Sequence, residues 1–248
     1  MVPIVAVGPK TEYTRTYDPT PEGFKAQLEH FASDNEGKIS IRLADISGRD
    51  PWVDIAVSDR QIVRAGGIDG LFLAYAAQVG IDDGTLQPTT RVSGSRDYEA
   101  CIEEVLVSQH PDCIDGLLNT MGNAYVQDKM NQAGLPDTKF SGEHNVTSAR
   151  DIFTLIKNME EGTTPLKSKS ALLSAMRKNL TRDGIYAVAP GNTSVATSKV
   201  QGVANQGAVV NSKGKYVIAF TSEGAGGLEI VEKFLKTYEE LRAKKPTR

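Results

Sequence analysis

The chain is poor in the residues from which conspicuous sites are built. It has two cysteines, three histidines and one tryptophan in 248 residues. Two cysteines exclude a disulfide-dense mini-domain and a four-cysteine zinc site. Three histidines are too few for a histidine-rich metal cage. Charge of one sign is missing too: 28 Lys and Arg stand against 31 Asp and Glu, a net charge of −3. Such a chain lacks the electropositive footprint of a nucleic-acid binder and the basic stripe of a peripheral membrane protein. Long apolar runs are also absent. The longest, Leu71 to Val79, is far below the roughly 20 residues of a bilayer span. Met1 to Gly8 is apolar, but it is short for a signal-peptide core and has no basic flank. The expectation is a soluble chain with no transmembrane segment and no nucleic-acid partner, compatible with the mature part of an exported protein.

What remains is ordinary globular composition, 40% hydrophobic and 24% charged, which excludes disordered, collagenous and coiled-coil chains. At about 150 residues per domain the length allows one or two domains. Thr20, Pro21, Phe24, Leu28 and Phe31 mark a first helix within 19–35. Lys38 to Ile46 alternates as a half-buried strand, and Trp52 to Val57 reads as an antiparallel neighbour. Ile68 to Val79 is apolar nearly all round, so it predicts a helix buried on every side, ended by Gly80. Further helices are expected over 97–106, from Pro111 through Asn131, over 147–159 and over 167–180. Strands follow at 194–198, 207–211 and 216–221, the last two joined by a hairpin at Ser212-Lys213-Gly214. A helix over 224–244 closes the chain. Strands at both ends with helices between them give an α+β pattern. One domain of two lobes is expected: an α/β lobe from about 10–66 and 186–248, and an all-helical lobe over about 67–185.

Several segments, in this order, resemble the class A branch of the serine β-lactamase and penicillin-binding protein superfamily. They are Leu71 to Ala77 with Asp83-Gly84-Thr85-Leu86, Cys101 to Ser108, Gly134-Leu135-Pro136-Asp137-Thr138, Thr147-Ser148-Ala149-Arg150-Asp151, Val195 to Lys199, Gly207 to Val210 and Tyr216 to Ala219. The resemblance spans about Pro21 to Lys236. It implies a class A β-lactamase-like fold, with an antiparallel sheet of about five strands packed with helices.

The catalytic boxes that the resemblance calls for are degenerate. Where the family has S-x-x-K, this chain reads Gly67-Ile68-Asp69-Gly70. Positions i and i+3 share a helix face, so a lysine there can activate a serine hydroxyl. Here Gly67 and Gly70 replace both, and no Ser, Thr or Cys lies between Ser58 and Thr85. The S-D-N box matches Ser108-Gln109-His110, or in another alignment Met121-Gly122-Asn123. K-T-G matches Lys199-Val200-Gln201; Lys199 keeps a charge for an anion, whereas Gln201 puts a long side chain beside the ligand. Glu143 is the candidate for the family's loop glutamate.

Ser108, His110, Lys199 and Gln201 are therefore candidate ligand-binding residues. His110, Glu143, His144, Asp69 and Lys199 are the residues that an altered chemistry would use, as general bases or metal ligands. Each also has a plainer reading: His110, Glu143 and His144 as loop residues, and Asp69 as a partner of the helix dipole. Cys101 and Cys113 flank the second box, and the resemblance implies a disulfide there; two buried free thiols are the alternative. The resulting expectation is a catalytically inactive, exported member of the superfamily with no cofactor. Its cleft would bind a peptide, a peptidoglycan fragment or a protein partner. A hydrolase of β-lactams or related amides and a structural domain with a closed cleft are the alternatives.

Overall fold

The computed structural model describes residues 20–48, 53–140, 143–191, 193–211 and 214–243, with Lys199 described by its backbone alone. Helix α1 (Pro21–Asp34) starts as its sequence dictates: Gly23 N–H donates to the Thr20 hydroxyl at 3.1 Å, and Pro21 needs no donor partner. Strands β1 (Lys38–Asp45), β2 (Asp54–Val57) and β3 (Val63–Arg64) follow. A 3₁₀ turn, Gly66–Ile68, leads into α2 (Asp69–Asp83). Beyond it come β4 (Arg91–Ser93), β5 (Arg96–Asp97), α3 (Tyr98–Val107), α4 (Pro111–Met121) and α5 (Asn123–Gln132). Then come β6 (Val146–Thr147), α6 (Ala149–Glu161), α7 (Lys169–Arg177) and α8 (Ile185–Val188). The chain returns through β7 (Thr193–Val200), β8 (Val203–Asn211) and β9 (Lys215–Glu223) to α9 (Glu229–Ala243).

The main sheet has five strands in the order β2-β1-β9-β8-β7, all antiparallel. Period-two alternation divides it between two cores. Tyr216, Ile218 and Phe220 of β9 face α1 and α9, whereas Val217 and Ala219 face the α6 side. Phe31 of α1 meets Phe234 of α9 edge-on, ring centres 4.8 Å apart, so the two outer helices pack on one face together. Strand β1 departs from its half-buried expectation. Helix α6 covers its second face, so Ser40 and Ala44 are buried as well as Ile39, Ile41 and Leu43.

Helix α2 is buried as its all-round apolarity predicts: Leu71 to Ala77 are almost wholly enclosed, against α3, α4 and α5. Its end differs from expectation. The helix runs through Gly80 and stops at Gly84, whose left-handed φ of 82° makes the cap. Gly80 serves packing instead, since a Cβ there would lie 2.7 Å from Leu86. The expected long helix from Pro111 breaks into α4 and α5 at Gly122, φ 81°. Of the expected turn, Ser212 and Lys213 lie outside the described residues, as does Trp52.

Candidate functional site

The start of α2 abuts β7 on one side and the loop after α3 on the other. Gly67 N–H donates to Ser198 Oγ at 2.7 Å, and Ser198 is fully buried. A carbonyl-polarising site needs such an N–H aimed, unpaired, at the reacting oxygen. Here the donor is already engaged. Asn205 secures the approach to this turn by donating from Nδ2 to the carbonyls of Arg64 and Ala65, both at 2.9 Å.

The two box glycines differ in the space around them. A Cβ on Gly67 would lie 2.9 Å from Gln109 Oε1, the far end of a flexible side chain. A Cβ on Gly70 would lie 3.2 Å from Val105 Cβ and 3.4 Å from its carbonyl oxygen, within α3. The lysine position is therefore closed by a neighbouring helix, and the serine position is covered only by a movable amide.

The second-box loop is held to α3 rather than opened to a ligand. Ser108 caps α3 and donates from Oγ to Glu104 O at 3.0 Å. Gln109 takes a left-handed φ of 55°, a conformation that costs a side-chain-bearing residue about 1–2 kcal/mol. His110 Nε2 lies 3.2 Å from Arg96 Nη2 and 3.9 Å from Glu104 Oε2, and Arg96 itself pairs with Glu104 at 2.7 Å. Cys101 and Cys113 form a disulfide with Cα atoms 5.1 Å apart, both fully buried. Glu104, His110 and Cys113 bring three ligand-type atoms within 4.8 Å of one another. The disulfide removes the thiolate that a metal would need.

A cavity of about 290 Å³ opens beside the helix start, lined by Arg64, Gly66, Asp69, Glu143, His144, Asn145, Val200 and Val203. Thus Asp69, Glu143 and His144 do meet at one concavity. Ser108, His110 and Gln201 do not line it. Gln201 is exposed in the tight turn between β7 and β8, where Val200 pairs with Val203. Lys199 pairs through its backbone with Ala204 near the end of β7; its side chain lies outside the description.

Asp69 is the one strongly perturbed acid at this cavity. It is 9% exposed, and burial pushes its carboxyl up to about 6 despite the Asn145 amide hydrogen bond; Asp115 adds to the rise. Asn145 Nδ2 donates to Oδ2 at 3.1 Å; the backbone N–H groups of Gly70 and Asp69 also oppose the rise, but enclosed Oδ1 makes no well-formed hydrogen bond among the described residues. The loop bearing Glu143 to Asn145 is fixed where Asn145 O accepts from Ala65 N–H at 2.8 Å. Arg64 donates from Nε to Glu223 Oε1 at 2.6 Å, so its charge is already met. Sequence reasoning missed Ser198, Asn145 and Arg64. Nothing local marks them; their roles arise where distant elements meet.

The model of the Beta-lactamase enzyme family matches residues 113–237. The chain belongs to this family. No curated protein matches the sequence at a significant level. Solved structures agree with the family's fold. A β-lactamase from Sphaerobacter thermophilus DSM 20745 has TM-score 0.78 at 15% identity, covering 90% of this chain and 98% of its own. A PBP-A mutant, solved as an acyl-enzyme complex with penicillin G, has TM-score 0.78 at 17% identity, with 90% and 97% covered. A mutant class A β-lactamase of the last common ancestor of Gram-negative bacteria has TM-score 0.78 at 14% identity, with 90% and 100% covered. This β-lactamase-family chain thus has the class A β-lactamase-like fold, with a five-stranded antiparallel sheet and helices. Among the described residues, no helix is long and apolar enough to cross a membrane.

Proposed function

We propose that this β-lactamase-family chain is a non-catalytic, exported protein whose cleft binds a ligand without turning it over. The observation that carries the reading is the engagement of Gly67 N–H by Ser198 at a helix start with no hydroxyl. Acyl transfer by this route needs a nucleophile, its activating base and a free donor for the developing oxyanion. The first two are replaced by Gly67 and Gly70, and the third is occupied. Removing a triad nucleophile alone lowers turnover by about 10⁶ in a well-studied hydrolase. The open cavity beside Asp69 favours binding over a closed structural domain. A peptide, a peptidoglycan fragment or a segment of a protein partner is the ligand class that this reading takes. The Cys101–Cys113 disulfide supports an oxidising, extracytoplasmic location. The sheet drawn from both chain ends supports one domain of two lobes.

Incubation with penicillin G followed by intact-mass measurement tests the reading. The expected outcome is an unmodified mass and no consumption of the β-lactam. A stoichiometric adduct, or steady loss of penicillin, would instead support a hydrolase by altered chemistry.

A further inference from the structure

The charge balance around the start of α2 is inverted relative to what the resemblance calls for. The lysine position is Gly70, and the neighbouring residue brings in the buried carboxylate of Asp69. A second carboxylate, Glu143, stands on the cavity wall. Of the cations there, Arg64 is held by Glu223, which also accepts from Lys38 at 3.3 Å. Among the described residues His144 is the remaining titratable group on the wall, and the charge of Asp115 also acts on Asp69. A buried carboxylate with one unpartnered oxygen is unfavourable unless something compensates it.

We propose that this cavity receives a primary ammonium group carried on an aliphatic chain, with Asp69 as its counter-ion. The inference rests on reading the cleft as a binding site. Two details select this chemistry. Asp69 Oδ2 is engaged by Asn145 and Oδ1 is enclosed, so the carboxylate offers the cavity no open two-oxygen edge. A single acceptor suits an ammonium; a guanidinium prefers a bidentate carboxylate. Val200, which is 47% exposed, and Val203 give an apolar wall for methylene groups leading to the charge. A bare metal ion fits less well. The ligand atoms of Asp69, Glu143 and His144 do not gather within 4.8 Å of one another among the described residues.

Titration calorimetry with an end-capped Gly-Lys-Gly peptide tests the proposal. The same peptide acetylated on the lysine amine is the neutral probe. Near neutral pH the charged peptide is expected to bind at least about tenfold more tightly than the acetylated one. Asp69→Asn is expected to abolish that preference without lowering the unfolding temperature. Equal binding of the two peptides overturns the ammonium assignment but leaves the cleft a binding site. Binding of neither, or an unchanged preference in Asp69→Asn, also overturns it. Failure of the underlying non-catalytic reading is read separately, as a penicillin adduct by mass.

Discussion

Gly67 donates its backbone N–H to the hydroxyl of Ser198, 131 positions away in sequence, at 2.7 Å. The bond seals a position at which a reacting carbonyl would have to be polarised. Ser198→Ala should lower stability by about 1 kcal/mol, the usual net worth of a hydrogen bond. Denaturant titration checks this, and penicillin G should still leave the variant unmodified.

Restoring the box should not restore chemistry. Gly67→Ser asks only the Gln109 amide to move, so its stability should change by less than about 1 kcal/mol. Gly70→Lys drives a side chain into Val105 and should lose about 1–3 kcal/mol through overpacking. The double variant is expected to stay free of acylation by intact mass. Rapid acylation would show that the site survives and that only two side chains were lost.

Acid should stabilise this protein in a defined window. Burial raises both Asp69 and Asp151 to about 6. Asp151 is fully buried; Thr138 and the Asp137 N–H satisfy one of its oxygens and leave Oδ1 unpaired. An acid with a raised folded pKa holds its proton more tightly when folded, so its contribution is full below about pH 4 and is lost as pH rises through about 6. Two pK units correspond to up to about 3 kcal/mol for each group. The thermal midpoint should rise by about 5 °C or more on going from about pH 7 to about pH 4.5. Groups held low act elsewhere. Thr85 holds Asp83 near 2, and Arg64 and Lys38 outweigh the burial of Glu223, so these contributions are lost only in stronger acid. Asp69→Asn should be more stable than the parent at about pH 7.5, with the gap closing towards about pH 4.5. An unchanged pH slope in that variant would remove Asp69 from the account.

Reduction should weaken the loop that carries Ser108 to His110. A disulfide closing so short a loop stabilises by about 3 kcal/mol, and Cys101 and Cys113 span 12 positions. Replacing both by alanine, or unfolding in reductant, should lower the thermal midpoint by about 6–12 °C. Scanning calorimetry with and without reductant measures this directly.

The sheet and the buried helix were legible because burial leaves a periodic trace. Alternation marked β1, and an unbroken apolar circumference marked α2. The stop at Gly84 was hidden because Gly80 looks like a terminator, while its missing side chain actually admits Leu86. The site was legible as an absence: Gly67 and Gly70 stand out once the register of the family is laid on the chain. What surrounds those two glycines was not legible. Ser198 is an unremarkable strand serine until β7 meets the helix start. His110 resembles a cleft residue until Arg96 and Glu104 are seen to hold it. Gln201 reads as a side chain beside the ligand from its place in the third box, yet the tight turn between β7 and β8 carries it to the surface.

The pairing of β1 with β9 also sets an order of events for a nascent chain. Lys38 and Glu223 sit side by side although 185 residues separate them. The first strand therefore has no central partner until nearly all of the polypeptide has emerged. Non-local pairing of this kind slows folding and lengthens the exposure of the apolar residues that await it, here Ile39, Ile41 and Leu43 of β1. During synthesis β1 would be a sticky, half-paired strand, open to a chaperone or a translocation channel for as long as β9 is unmade. The pairing that completes the sheet in the finished molecule is thus among the last to form, and so keeps the chain threadable until late.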